Sequence, residues 1–292
     1  MQVTPAIYAI RHPFQVPVTP GRAIDRFVYS FFIVGETITL IDTGVAGCET
    51  RIFENIRSIG RDPREISLII LTHSHPDHIG AARAIWENTG CTIAAHAAER
   101  TWIEDVKRQN RERPVPGFDT LVGGPVQLEF ELDGGDTIDT DGTGEYEIQV
   151  IHTPGHSAGS VSLFMQGEGA LFSGDTIPVS GDLPVYDNYG QSVRSIQRLR
   201  SVQGIRHLLS SWDEPRRGDE VYGQMDQALW YLSTIHKAVL ASAGDGNLEI
   251  NEVTKRTVAA LGLPPHAAGP LLARTFVANL KARDTDLREG FG

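Results

Sequence analysis

The chain has 292 residues, 40% of them apolar and 22% charged, with a formal net charge of −11. That is the composition of an ordinary globular protein, long enough for one large domain with an appendage or for two modest ones. An acidic chain does not draw nucleic acid or an anionic membrane through its overall field, and no stretch approaches the ~18–20 apolar residues that span a bilayer. Cys48 and Cys91 lie far apart with no Cys-x-x-Cys spacing, and they are expected to be structural thiols of a reduced, cytoplasmic protein. Arg11 and His12 near the start are not followed by an apolar core, so no signal peptide is expected. The basic stretch Lys107-Arg108-Gln-Asn-Arg111-Glu-Arg113 reads first as a solvated helix end, with anion binding as the alternative.

Residues 1 to about 45 read as strands. Phe27–Val34 and Thr37–Ile41 are β-rich runs separated by Gly35-Glu36, a hairpin signal. Ile52, Phe53, Ile56 and Ile59 recur at helical spacing, with Gly60 as the stop. Ser67-Leu-Ile-Ile-Leu71 is short, continuous and β-rich, as a buried strand is. Pro76 then suits a first helical turn, with Ile79, Ala82, Ile85 and Trp86 following at helical spacing up to Gly90. Cys91–Ala95 reads as a strand, 97–109 as a helix, and 114–125 as a Pro/Gly-rich loop long enough to wall a substrate pocket. Strands are expected at Val126–Leu132, Tyr146–Ile151, Val161–Phe164, Ala170–Phe172 and Ile205–Leu209. From about residue 219 the strands stop, and Val221–Ala243, Asn251–Leu261 and Pro265–Ala282 read as helices. The expected domains are therefore 1–218, a mixed α/β domain carrying the chemistry, and 219–292, a helical appendage available for packing or for dimerisation.

The chemistry concentrates in His73-Ser74-His75-Pro76-Asp77-His78. Three of the ten histidines and an aspartate fall within six positions, directly after a buried strand. Neutral imidazole is a borderline donor that suits zinc or iron, and carboxylate completes such shells. His73 and His75 lie on a loop at a strand's carboxyl end, and Asp77 and His78 at a helix start, so two pairs of donors point from two directions. His156 stands on a Pro-Gly loop with no packing reason for histidine, and Asp175 ends a further strand. Asp42, also at a strand end, is placed either to orient a metal ligand or simply to cap a turn. His12, His96, His152, His207, His236 and His266 read as structural or surface residues, with His152 the nearest of these to the site in sequence.

The pattern His73-x-His75-x-Asp77-His78 resembles the metallo-β-lactamase superfamily. Leu40-Ile-Asp42-Thr-Gly44, Thr153-Pro-Gly-His156-Ser-Ala-Gly159 and Phe172-Ser-Gly-Asp175 resemble its other segments in the expected order. The likeness covers about three-quarters of the chain. It implies a four-layer αββα sandwich in which His73, His75 and His156 hold one metal, Asp77 and His78 begin a second site, and Asp175 bridges the two. The family usually supplies one more histidine after a late strand. Here Trp212 occupies that position, and Asp213 is either a substitute oxygen ligand or a turn residue. One or two zinc ions are implied, with iron or manganese as alternatives.

Zinc lowers the pKa of bound water to about 7, so hydroxide becomes available at neutral pH. The expected reaction is hydrolysis of an ester, lactone, thioester or phosphoester of a small molecule, with Asp77 orienting the hydroxide and passing a proton to the leaving group. Tyr186 and Tyr189, placed in a loop after Asp175, either pack at the pocket rim or donate to the substrate. Three rivals remain at this point. One is an iron-dependent redox enzyme of the same superfamily, and another a metal-binding protein that has lost activity. The third is a serine hydrolase built on Gly155-His-Ser157-Ala-Gly159, which needs a strand before the first glycine and a helix after the second.

Overall fold

The computed structural model describes residues 1–19, 21–140, 142–144, 146–244 and 248–289. Six strands form a first sheet in chain order: β1 (Ile7–Thr19), β2 (Arg22–Val34), β3 (Ile38–Ile41), β4 (Ile66–Ile70), β5 (Thr92–His96) and β6 (Phe130–Leu132). The first three pair antiparallel and the last four parallel, as hairpins and helical crossovers dictate. A second sheet contains β7 (Thr137–Asp139), β8 (Glu147–His152), β9 (Val161–Met165), β10 (Ala170–Gly174), β11 (His207–Ser210) and β12 (Arg216–Arg217), also in chain order.

The two-residue period of a strand explains the layers. Leu40, Ile69 and Ile93 join a core with Ile52 and Ile56 of α1 (Cys48–Ser58). Their neighbours Ile41, Ile70 and Ala94 point the other way, into a second core shared with Val150, Leu163 and Phe172 of the second sheet. Each fully buried large apolar side chain contributes roughly 1.5–3 kcal/mol. Two mixed sheets with flanking helices bear out the expected α/β sandwich.

The helical run after the metal loop is broken in two, α2 (Pro76–Ile79) and α3 (Ala82–Thr89). Gly80 lies at the break because three backbones meet there. A Cβ on it would come within 2.3 Å of Leu121 O and 2.5 Å of Val45 Cα. Ala82 and Ile85 face the core, while Trp86 lies on the outer side at 37% exposure. The single helix expected over 97–109 is instead a 3-10 turn (Ala97–Glu99), α4 (Arg100–Glu104) and α5 (Val106–Glu112). Asp105 makes the break: its carboxylate accepts from Arg108 N at 2.9 Å, a capping role that aspartate prefers to a helix interior. Within the expected loop 114–125, α6 (Phe118–Leu121) buries Phe118 and Leu121.

Contacts divide the chain into two units. The first comprises Met1–His152, Gly159–Gly174 and Gly204–Gly218, and the second Thr153–Ala158, Asp175–Gln203 and Asp219–Gly292. The second is helical: α7 (Tyr189–Ser201), α8 (Glu220–Ala243), α9 (Ile250–Ala260) and α10 (Pro270–Glu289). Met225, Leu232, Ile235 and Val239 line the buried side of α8 as expected, whereas Leu229 is only half-buried. Helix α7 was not expected, and Tyr189 opens it rather than lying in a loop. Asn188 caps α7 by accepting from Gln191 N at 2.9 Å, and Ser192, Ser195, Ile196 and Leu199 form its buried stripe. No helix among the described residues is long and apolar enough to cross a membrane.

His12 on β1 is buried, and its Nε2 lies 2.7 Å from Ser30 Oγ on β2. Burial, helped by the charge of Arg51, pushes its pKa down from 6.5 to about 3. The folded state therefore refuses a proton that the unfolded chain accepts below pH 6.5. This contribution to stability is whole above pH 6.5 and is lost as pH falls toward 3. Going from pH 7.5 to 5.5 should cost wild type about 1.4 kcal/mol more than His12→Gln, measured by urea unfolding at both pH values.

Candidate metal centre

Strand β4 ends at Ile70, and the chain turns through Leu71-Thr72 into His73-Ser74-His75. Asp42, two per cent exposed at the end of β3, fixes this turn. Its Oδ1 accepts from Thr72 N at 2.8 Å, and its Oδ2 accepts from Thr72 Oγ1 at 2.7 Å and from His78 Nδ1 at 2.8 Å. Asp42 is also the non-glycine residue with positive φ, 55°, among the described residues. Aspartate tolerates that region better than most side chains, at a cost of order 1–3 kcal/mol. Asp42 therefore orients a histidine instead of merely capping a turn.

The bonds assign the ring protons. Asp42 takes the Nδ1 proton of His78, so Nε2 of that ring is the atom left to donate its lone pair. Thr72 Oγ1 gives its proton to Asp42, so it accepts from His73 Nδ1 at 3.0 Å and leaves His73 Nε2 as the donor atom. His73 Nε2 lies 3.0 Å from His75 Nδ1. Two ring nitrogens at that distance need a proton or a cation between them. Asp77 Oδ2 lies 3.3 Å from His78 Nε2, and its side chain is 17% exposed.

A buried acid that the motif does not announce, Glu99, braces the same loop. Its Oε2 accepts from Ser74 N at 3.0 Å and from Ser74 Oγ, and its Oε1 accepts from Gly159 N at 2.6 Å. Gln109 on α5 adds a bond from Nε2 to Ser74 O at 2.5 Å. Glu99 sits just past the carboxyl end of β5, and that strand-end position is the signal that could have singled it out.

In the second unit, His156 Nδ1 donates to Val185 O at 2.7 Å, and Nε2 lies 3.3 Å from Asp175 Oδ2. The loop bearing His156 rests on α7. Gly155 O accepts from Asp187 N and Asn188 N, and Ser195 Oγ donates to Pro154 O. Gly155 has φ 139°, and a Cβ there would lie 2.4 Å from Ser192 N. Gly155-His-Ser157-Ala-Gly159 is followed by β9 and not by a helix, so the nucleophile-elbow context is not met.

Each unit gathers donors of its own. In the first, the His73 ring centroid lies 4.5 Å from that of His75 and 4.0 Å from that of His78, with Asp77 beside His78. In the second, His156 and Asp175 stand together. A tetrahedral shell with bonds of ~2.0–2.1 Å spaces its donors roughly 3.3 Å apart, close to the separations seen here. The donor types fit a divalent ion. The carboxylate of Asp213 is engaged elsewhere: it takes Arg216 Nε at 2.7 Å and Arg216 Nη2 at 3.2 Å. Trp212 packs at 6.2 Å edge-on to Phe14, under the guanidinium of Arg26. Tyr186 is buried and accepts from Asn279 Nδ2 at 2.8 Å, while Tyr189 stacks on His236 at 4.2 Å. Cys48 and Cys91 are free and buried, with their thiol pKa values raised by burial.

Residues 23–232 match the family model of the metallo-beta-lactamase superfamily. The chain belongs to the metallo-β-lactamase superfamily. A probable metallo-hydrolase of Bacillus subtilis (strain 168) is 30% identical over 56% of this chain and 70% of its own length. A hydroxyacylglutathione hydrolase of Methylococcus capsulatus is 26% identical over 64% of this chain and 60% of its own. A metallo-β-lactamase family protein from Thermus thermophilus shares the fold, with TM-score 0.73 at 20% identity over 96% of this chain and 95% of that one. The superfamily's sandwich is thus the fold of this chain.

Two substitutions test the supports. Asp42→Asn should weaken metal affinity about 10–100-fold, as loss of a ligand's orienting partner does, read by competition with a chromophoric chelator. Gly155→Ala should cost about 2 kcal/mol or more in unfolding free energy, because neither Ser192 N nor φ can accommodate the methyl.

Proposed function

We propose that this protein is a metal-dependent hydrolase acting on an ester, lactone, thioester or phosphoester of a small molecule. The observation that supports the reading is the buried group His73, His75 and His78 in the first unit, with His156 beside Asp175 in the second, in a chain whose residues 23–232 match the superfamily's model. In this reading His73, His75 and His156 hold the first ion. His78 and Asp77 begin a second site, and Asp175 stands between the two. Zinc is the best match to imidazole and carboxylate donors of this kind. When bound, such an ion supplies Lewis acidity and hydroxide at neutral pH.

The chain's own residues supply the rest. Asp42 and Val185 O hold His78 and His156 in the tautomers that leave Nε2 available. Asp77, a little exposed beside His78, holds the proton of the attacking water and then delivers it to the leaving oxygen or sulfur. Similarity to hydroxyacylglutathione hydrolases supports a thioester among the substrate classes. Buried free thiols support a reducing compartment.

A mononuclear iron redox reading is favoured by one observation. Arg216 engages the carboxylate of Asp213, in the segment where the resemblance reads Trp212 in place of a further histidine. Metal content per chain, with oxygen uptake and hydrolysis measured side by side, separates the two. The hydrolase reading expects zinc, ester or thioester turnover and no oxygen consumption. His75→Ala should abolish metal binding and turnover together. Asp77→Asn should retain at least one metal while kcat falls about 10²–10⁴-fold. Full activity in either variant overturns the assignment.

A further inference from the structure

Nothing in the sequence motif explains why Val185 O stands where it does. The carbonyl that receives the Nδ1 proton of His156 belongs to a segment, Val185–Asn188, without regular structure of its own. A loop carbonyl orients an imidazole only as well as the loop itself is held. On one side, Asp187 N and Asn188 N donate to Gly155 O at 2.8 and 3.0 Å. On the other side stands the last helix, α10.

Three contacts tie the segment to α10. Tyr186 N donates to Thr275 Oγ1 at 3.2 Å, Arg274 Nε lies 3.3 Å from Asp187 Oδ1, and Asn279 Nδ2 donates to Tyr186 Oη at 2.8 Å. Asn279 is fully buried, and its amide is engaged at both ends. Nδ2 also donates to Thr275 O at 2.9 Å, and Oδ1 lies 3.1 Å from His236 Nδ1 on α8. His236 in turn stacks on Tyr189 at 4.2 Å, with the planes 7° apart. The network thus runs from two C-terminal helices through Tyr186 and Tyr189, on either side of Asn188, to the carbonyl beside Tyr186. A buried amide is costly unless its bonds are made. A fully satisfied network of this kind fixes one arrangement of the groups around it.

We infer that Asn279 is a positioning residue for the metal centre: through Tyr186 it holds Val185 O, and thereby the tautomer and orientation of His156. The helical segment after residue 219 then serves the site as well as the fold. Tyr186 acts in this scheme as an anchor, its hydroxyl accepting from Asn279. The inference rests on the metal-centre reading only where metal affinity is the readout.

The test uses the full chain with Asn279→Leu and Tyr186→Phe. Phe276→Leu is the control, a buried change on the same helix with no bond to Val185–Asn188. Zinc affinity is measured by chelator competition, and thermal stability in parallel. Asn279→Leu should bind zinc about tenfold more weakly, the lower end of what outer partners of metal ligands contribute. Tyr186→Phe should move the same way by a smaller factor, and Phe276→Leu should lose stability but keep its zinc affinity. Unchanged affinity in Asn279→Leu, or an equal loss in Phe276→Leu, overturns the inference. A second readout is independent of metal. Long-range ¹H–¹⁵N spectra of the metal-free protein should show His156 as the Nδ1–H tautomer in wild type and as a mixture in Asn279→Leu. If wild type binds no zinc, the metal-centre reading fails while this spectrum still decides the positioning role. The same tautomer in both proteins sinks it.

Discussion

A single buried carboxylate organises the metal loop. Asp42 receives a backbone N–H, a hydroxyl and an imidazole N–H within 2.8 Å. Each of these bonds does separate work. The first fixes where the chain leaves β4, the second sets Thr72 so that it can receive the His73 proton, and the third selects the tautomer of His78. Bonds to an ionised carboxylate are about twice as strong as neutral ones, and little solvent reaches this one. Several ring nitrogens are thereby committed to donation, and a cation is the partner that suits such a set.

The scaffold explains how so many donors come to hand. Parallel strands in the first sheet all end at the same edge, so β3, β4 and β5 deliver Asp42, His73 and Glu99 from successive strand ends. Alternation along each strand spends one face on the helices and the other on the second sheet. The strands are then too tightly packed to shift, and loops carried on them inherit that rigidity. In the second unit a different device does the same for His156. Helix α7 supports its loop from below through Ser195, and the Val185 carbonyl holds the ring.

The residues that the sequence offered as further site candidates have structural partners of their own. Trp212 lies among Phe14, Phe27 and Arg26, where an aromatic ring is well packed. Asp213 completes a two-pronged pair with Arg216, a geometry in which guanidinium and carboxylate match. Tyr186 and Tyr189 are held by α10 and α8 in a polar network and a ring stack. These contacts give each residue a structural occupation that its position in the sequence does not reveal.

Short-range pattern was enough for most strands, the long C-terminal helices and the histidine–aspartate cluster, while the sandwich followed from the resemblance of the motifs to a known family. Periodicity of apolar residues and spacing of donors are both written along the chain. It was not enough where distant segments meet. Helix α7 carries a buried stripe of Ser192, Ser195, Ile196 and Leu199, too polar to read as a core face until the His156 loop is packed on it. At the break in the metal-loop helix, Gly80 N donates to Gly44 O and Gly80 O accepts from Gly123 N, so its backbone bonds go to distant segments. Glu99 looks like any helix-start acid until Ser74 and Gly159 close on it. The sequence by itself determined which side chains carry metal-donor atoms, because donor chemistry belongs to the residue. Only the tertiary structure decided which nitrogen of His73, His78 and His156 is turned outward, because that depends on the hydrogen-bond partner brought to the other nitrogen.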